Sequence, residues 1–433
     1  MQTSNRNTTM NVGRRITLVA CVFTLPIAIL FSQVWSSITE FVTFAQKEHA
    51  GNAYQRPLEQ SLAAVQQLRL ALLAGNDAGA APRLQAAIDC GNAAMESIAQ
   101  ADADFGELLQ FTPEGLRKRN RAHLRVPLLR SEWRSAVAAI EAGSIQGALP
   151  QLEHLVADLR GYITHAGDTS NLILDPDLDS YYLMDVTLLA LPQTQDRIGA
   201  IMSSIEAILA QGSPSREALA SLAVQAAMLG EADLARVVAS TQTCINEDAN
   251  FYGAQQSMQD VLPRELAAYQ QATTAFLELA RCVAAGETVD VATARSTGSQ
   301  ALAASFSFWH TAAVELDVLL STRIAHYESR RTWMVSLSAL AVLVSCLLGY
   351  AVKRSITTPL ARISGSLGPG ATLLSECATR IADEKAAVEA VERRIIVNEL
   401  VAHADDMRKA VLALSVLVGT DQEAETLSGR TNA

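Results

Sequence analysis

The chain has 433 residues, enough for two or three domains, and 49% of them are hydrophobic while only 5% are aromatic, a balance that favours helix and membrane segments over sheet. A formal net charge of −11 argues against a nucleic-acid binder, because a phosphate-binding surface must offer excess cations. Cys21, Cys90, Cys244, Cys282, Cys346 and Cys377 stand far apart without a CxxC pair, which argues against zinc-ribbon and thioredoxin-like chemistry.

In chain order, residues 1–15 read as a polar cytoplasmic tail ending in Arg14 and Arg15. The stretch "ITLVACVFTLPIAILFSQVW", 16–35, is long enough to cross a hydrocarbon core, which needs roughly 20 residues. Pro26 is tolerable in such a helix. "LVAC" imitates a lipoprotein cleavage box, but the apolar run continues well past Cys21, so an uncleaved anchor is expected. A second stretch, "WMVSLSALAVLVSCLLGYAV" at 333–352, precedes Lys353 and Arg354, and the basic flanks place both termini inside. Arg330 and Arg331, on the other side of it, are read as snorkelling to headgroups.

Between the anchors, 36–332 forms a long external region. Breakers fall at "GNDAGAAP" (75–82), "FTPEG" (111–115), "AGS" (142–144), "LDPD" (174–177), "GSPS" (212–215), around 250–253 and at "AGET" (285–288). Apolar residues recur at three and four between them, predicting about eight helices in an all-α, antiparallel bundle, either one long bundle or two stacked four-helix modules. Thr112 with Pro113, and Ser213 with Pro214, have the form of an N-cap followed by a first helical proline. The last helix carries a seam of Leu302, Phe306, Trp309, Ala313, Leu316, Leu320, Ile324 and Tyr327, and is predicted to run unbroken into the second apolar stretch.

"DTSNLILDPDLDSYYLMD", 168–185, is the most distinctive text. A calcium loop on Asp175, Asp177 and Asp179 fails, because Ser180 and Val186 occupy the places that need Gly and Glu. The segment reads instead as a hinge of Asp175, Pro176, Asp177 and Asp179, with Asp177 as N-cap of the next helix. Tyr181 and Tyr182 are either ligand donors or core packing.

"RKRNRAHLR", 117–125, is the sharpest charged feature. If helical, it sets Arg117, Arg121 and Arg125 at successive fours, where guanidinium forks would hold a carboxylate or phosphate; the alternative is a solvated basic face or a dimer contact. Arg69 and Arg160 are further anion candidates. His154, His165 and Asp168 do not have a metal spacing, and no nucleophile or carboxylate pair indicates catalysis. No cofactor is expected.

After the second apolar stretch, 353–418 reads as helical. Leu360, Ile363 and Leu367 keep a heptad, Gly368, Pro369 and Gly370 interrupt it, and Leu374, Cys377 and Ile381 resume it. Leu400, Ala404, Met407, Val411, Leu414 and Val418 share a face in a further amphipathic stretch, and these faces predict a homodimer. Residues 419–433 are read as a flexible tail.

Taken together, the two anchors, "SNLILDPDLDSYYLMD", "ELDVLLSTRIAHY" and the post-membrane "RSITTPL" resemble bacterial membrane sensors of the methyl-accepting chemotaxis receptor type. "RSITTPL" is similar to the start of a HAMP signal-relay module, with Pro359 matching the proline of its first helix. The resemblance implies an inner-membrane location, a periplasmic sensor domain at 36–332, a small-solute ligand and a HAMP-like relay at 353–418. "NELVAHADDM", 398–407, lacks the glycine with which a second HAMP helix opens. No kinase-control tip, cyclase signature or ATP-binding motif is present, so the expectation is either a shortened receptor or a sensor that acts through a cytoplasmic signalling partner. The alternative is a membrane-anchored scaffold whose external bundle binds another protein.

Overall fold

The computed structural model describes residues 12–73, 80–211, 214–384 and 392–418, and every regular element among them is helical. The tails at 1–11 and 419–433, the breaker at 74–79 and Ser213 lie outside the described residues, as do the side chains of Leu360, Ile381 and Val418. The helices are α1 (Val12–Leu73), α2 (Ala80–Phe105), α3 (Pro113–Lys118), α4 (Val126–Glu141), α5 (Ile145–Ser170), α6 (Leu178–Met184), α7 (Leu191–Ala210), α8 (Arg216–Met228), α9 (Ala235–Glu247), α10 (Gln256–Ala284), α11 (Val291–Val352), α12 (Thr358–Glu384) and α13 (Glu392–Val418). Two compact units emerge, Thr39–Ser329 and the remainder on either side of it.

Local chemistry explains the boundaries. Thr112 accepts the N–H of Gly115 at 3.1 Å and starts α3, as its sequence pattern indicates. The cap of α8 is Ser215, which accepts the N–H of Ala218 at 3.1 Å, two residues later than the pattern at Ser213 indicates. In α4, Val126, Leu129, Trp133, Ala136 and Ile140 are buried at spacings of three and four, and Gly143 supplies the positive φ of 77° beyond its end.

Three π-turns had no reading in the sequence. π-turns at Asp185–Ala190 and Lys353–Thr357 each stand just ahead of a proline, Pro192 and Pro359. A proline ring clashes with the carbonyl four residues back, and widening the preceding turn relieves that contact. A third π-turn, Leu229–Leu234, joins α8 to α9 without a proline.

Within Thr39–Ser329, α1 and α11 run antiparallel. Phe41 stacks on Tyr327 at 5.4 Å, Asn52 donates to the Ala313 carbonyl at 2.8 Å, and Arg295 donates to the Leu73 carbonyl at 3.0 Å. One core gathers Tyr54, Leu58, Trp133, Tyr162, Tyr269 and Phe308; a second gathers Ile201, Ile205, Leu222, Leu229, Phe276 and Ala301. The seam of α11 is buried from Leu302 to Leu320, with Phe306, Ile324 and Tyr327 partly covered.

Three helical stretches are long and apolar enough to cross a membrane, Thr24–Leu73, Arg216–Asn250 and Val291–Ile356, which marks the chain as a membrane protein. The sequence reading gave two. The added stretch, α8 with α9, turns Leu222, Ala226, Leu229, Val237 and Cys244 into the cores and has the lowest mean hydropathy of the three, 1.2 against 1.4 and 2.2. One face of it is therefore occupied by protein, while Val224 and Met228 stay exposed. In the other two, Leu25, Ile27, Leu30, Leu340, Val342, Leu347 and Leu348 stay exposed, as lipid-facing residues do. Arg331 lies over the Trp35 ring at 5.6 Å, a pairing suited to an interface.

In the other unit α12 packs on α13, with Ala371, Ala378, Ala404 and Val411 buried. The helix passes through Gly368, Pro369 and Gly370 without a break, so the expected interruption is one of side-chain pattern alone. The eight steps from Glu384 to Glu392 reach at most ~28 Å, against ~40 Å for a helix of 27 residues, so α13 pairs antiparallel to α12.

Candidate functional site

The Asp-rich corner is built by backbone chemistry first. Asn171 takes a left-handed φ of 73° and ends α5, a 3₁₀ turn covers Leu172–Leu174, and Asp175 turns extended ahead of Pro176. Asp177 occupies the N-cap position of α6, but its side chain makes no capping bond. The aspartates turn inward instead. Asp175 Oδ1 accepts the N–H of Asp177 and the Ser180 hydroxyl, each at 3.0 Å, which fixes the turn locally.

The group they face is Arg323 of α11. Its Nη1 lies 2.8 Å from Glu48 Oε2 of α1, its Nη2 lies 2.6 Å from Asp175 Oδ1, and its Nε lies 2.6 Å from Asp177 Oδ2. The Arg323 side chain is 3% exposed and those of Glu48 and Asp175 are fully covered. One guanidinium thus ties α1, the 175–180 corner and α11 together, while carboxylates outnumber it. Burial, reinforced by the charge of Asp175, pushes the Glu48 carboxyl up to about 9. Burial likewise pushes Asp179, just behind the corner, up to about 6. For Arg323, burial favours loss of the proton, but Asp175, Glu48 and Asp177 outweigh it and its pKa rises. At neutral pH Glu48 therefore holds a proton and Arg323 remains charged. Glu48 Oε1 and Asp175 Oδ2 are buried with no hydrogen-bond partner among the described residues.

The polar stripe of α1 continues from this clamp. Asn52 donates to Asp317 at 2.6 Å and accepts from Gln55 at 2.6 Å, and Arg56 also pairs with Asp317. One turn further, Glu59 is 2% exposed with neither carboxylate oxygen hydrogen-bonded among the described residues, and burial pushes it up to about 8 although Gln195 beside it favours the charge.

At the opposite end of the α1–α11 pairing lies a cavity of about 360 Å³ between α1, α2, α7 and α11. Its polar lining is Gln67, Arg83, Glu206, Arg295 and Ser299, and Leu70, Met202, Leu302 and Phe306 supply apolar walls. Arg295 pairs with Glu206, whereas Arg83 is exposed and makes no ion pair among the described residues. A half-enclosed apolar pocket with a few convergent polar groups has the chemistry to hold a small solute.

The basic stretch is not one helix. Asn120 adopts a left-handed φ of 57° after α3, and Arg125 is already the N-cap of α4, so Arg117, Arg121 and Arg125 do not share a face. Arg117 donates to the Pro113 carbonyl at 3.1 Å, and Arg121 pairs with Asp168 at 2.6 Å beside His165. Burial lowers the His165 pKa to about 4, so that imidazole is neutral near pH 7. Arg69 is buried near Ser203 and Glu153, and burial lowers its pKa; Arg160 pairs with Asp196 at 2.6 Å. Tyr181 is exposed and meets the half-buried Tyr182 edge-on at 5.4 Å. Pro359 stands exposed in the first turn of α12. Glu132, His154 and Asp158 bring ligand atoms within 4.8 Å of one another.

Sequence reasoning missed Arg323, Glu48 and Glu59. The signal for Arg323 was there: it is a charged residue three positions after Leu320 on an apolar seam. No protein-family model, curated protein or solved structure matches the chain.

Proposed function

We propose that the chain is a membrane-anchored sensory transducer, chemoreceptor-like in plan, whose Thr39–Ser329 unit binds a small solute in the α1–α2–α7–α11 cavity. An anion is the class that fits best, because the exposed Arg83 stands on the lining. The observation that carries this reading is the double role of α1 and α11. The two helices that bear the exposed apolar stretches also wall the cavity and supply Glu48 and Arg323 to the clamp. A solute that favours one packing of these helices by a few kcal/mol shifts the population of states appreciably.

In this reading both termini are cytoplasmic, and the unit 39–329 is periplasmic in a bacterial inner membrane, built as one long antiparallel bundle or as two stacked four-helix modules. The α12–α13 hairpin is the relay, HAMP-like in position, to a cytoplasmic partner. Its exposed Ile363, Leu367 and Leu374 pair with a second copy in a homodimer. The chain itself carries out no catalysis. The scaffold alternative draws on the exposed Ile173, Leu174, Leu178 and Tyr181 at the corner, an apolar patch suited to a protein partner.

The test is a thermal-shift screen of the full chain in nanodiscs against organic acids, amino acids and inorganic anions. A solute at 100 times its Kd stabilises the native state by about 2.7 kcal/mol. The expected result is a hit that Arg83→Ala abolishes and Arg121→Ala leaves intact. A hit that survives Arg83→Ala refutes the cavity; absence of any hit contradicts solute sensing and favours the scaffold.

A further inference from the structure

His154 and Asp158 stand four apart on α5 and so share one helix face. The fold adds donors that sequence spacing does not reveal, Glu132 from α4 and His123 from the turn before it. His154 Nδ1 lies 2.6 Å from Glu132 Oε1 and 3.9 Å from Asp158 Oδ2. On its other side Asp158 Oδ1 lies 3.9 Å from His123 Nε2. Asp158 is 9% exposed and receives no hydrogen bond among the described residues, and the imidazoles of His123 and His154 are its ion-pair partners there. A cation held between this carboxylate and the imidazoles would give its oxygens a partner that the protein otherwise leaves to solvent.

We propose that Glu132, His154 and Asp158, with His123 as a fourth donor, form a binding site for a borderline divalent transition metal of the zinc class. The donor set selects the ion. Imidazole nitrogens with carboxylate oxygens suit zinc, nickel and cobalt, whereas calcium and magnesium require oxygen ligands throughout. Around a tetrahedral zinc with bonds of about 2.0–2.1 Å, donor atoms stand ~3.4 Å apart. The separations of 2.6 and 3.9 Å fall on either side of that value. The His154 side chain is 62% exposed and that of His123 59%, so both have room to rotate into place and the ion has a path from solvent. Such an ion fastens α4, α5 and the turn carrying Arg121 and His123 to one another.

The test uses the full chain in detergent, stripped with a chelator and dialysed against Zn²⁺, with bound metal counted by mass spectrometry. Co²⁺ in its place reports the ligands by visible absorbance. The expected result is one Zn²⁺ per chain and a Co²⁺ spectrum of nitrogen and oxygen ligands without a thiolate band. His154→Ala, at an exposed position, and Asp158→Asn should each weaken binding at least tenfold. Glu132→Gln is the milder variant and should weaken it by a smaller factor. Matching melting curves of the metal-free proteins separate site loss from misfolding. Full zinc content in the His154→Ala/Asp158→Asn protein, a thiolate band, or no stoichiometric binding would overturn the assignment.

Discussion

Replacing Arg323 by Ala removes the cation that touches Glu48, Asp175 and Asp177 together. Glu48 already holds a proton near pH 7, so the uncompensated charge falls chiefly on the two aspartates. Breaking a buried pair by removing one partner costs about 3–5 kcal/mol. In a helical unit of this size each kcal/mol moves the Tm by roughly 2–4 °C, so a fall on the order of 10 °C is expected. The assay is circular dichroism melting of the full chain in detergent at pH 7, beside Arg330→Ala as a surface control. A second limb follows from the same charges: without the guanidinium the aspartates gain protons more readily, so lowering the pH toward 5 should recover part of the loss. An Arg323→Ala protein that melts within 2 °C of the parent at pH 7, or that shows no recovery in acid, would refute the clamp as a stabilising element.

Stability should fall as pH rises from about 5 to 9. The folded carboxyls of Glu48 and Glu59, at about 9 and 8, hold protons that the unfolded chain, near 4.5, has released, and denaturant melts across that window check the slope. Glu59→Gln removes one of those groups and should stabilise the protein by a few kcal/mol above pH 8, with little gain at pH 5. Gly91→Ala should cost about 1–3 kcal/mol, because its Cβ would stand 2.1 Å from the buried Trp133 ring, and equilibrium unfolding reads this directly.

Helix content and most breaks were legible because they rest on local signals: the three-and-four spacing in α4 and α11, the Gly143 stop and the Pro176 corner. The basic stretch was misread because no local rule distinguishes "RKRNRAHLR" as one helix from a short helix broken at Asn120; its fate is set by Asp168, far along α5. The hinge residues were found, but their direction was not. Asp177 has the ordinary form of an N-cap, and only the approach of α11 with Arg323 turns it inward. Buried Glu59 left no mark, because a Glu in a Gln- and Leu-rich helix reads as solvated until the neighbouring helix covers it.

Hydrogen exchange on the full chain in nanodiscs, with and without the strongest binder from the solute screen, tests most directly whether the cavity speaks to the clamp. Slowed exchange is expected at both ends of the α1–α11 pairing, in the cavity segments around Leu70 and Leu302 and around Glu48, Ser180 and Arg323. Protection confined to the cavity, with the clamp unchanged, would contradict transmission along these helices.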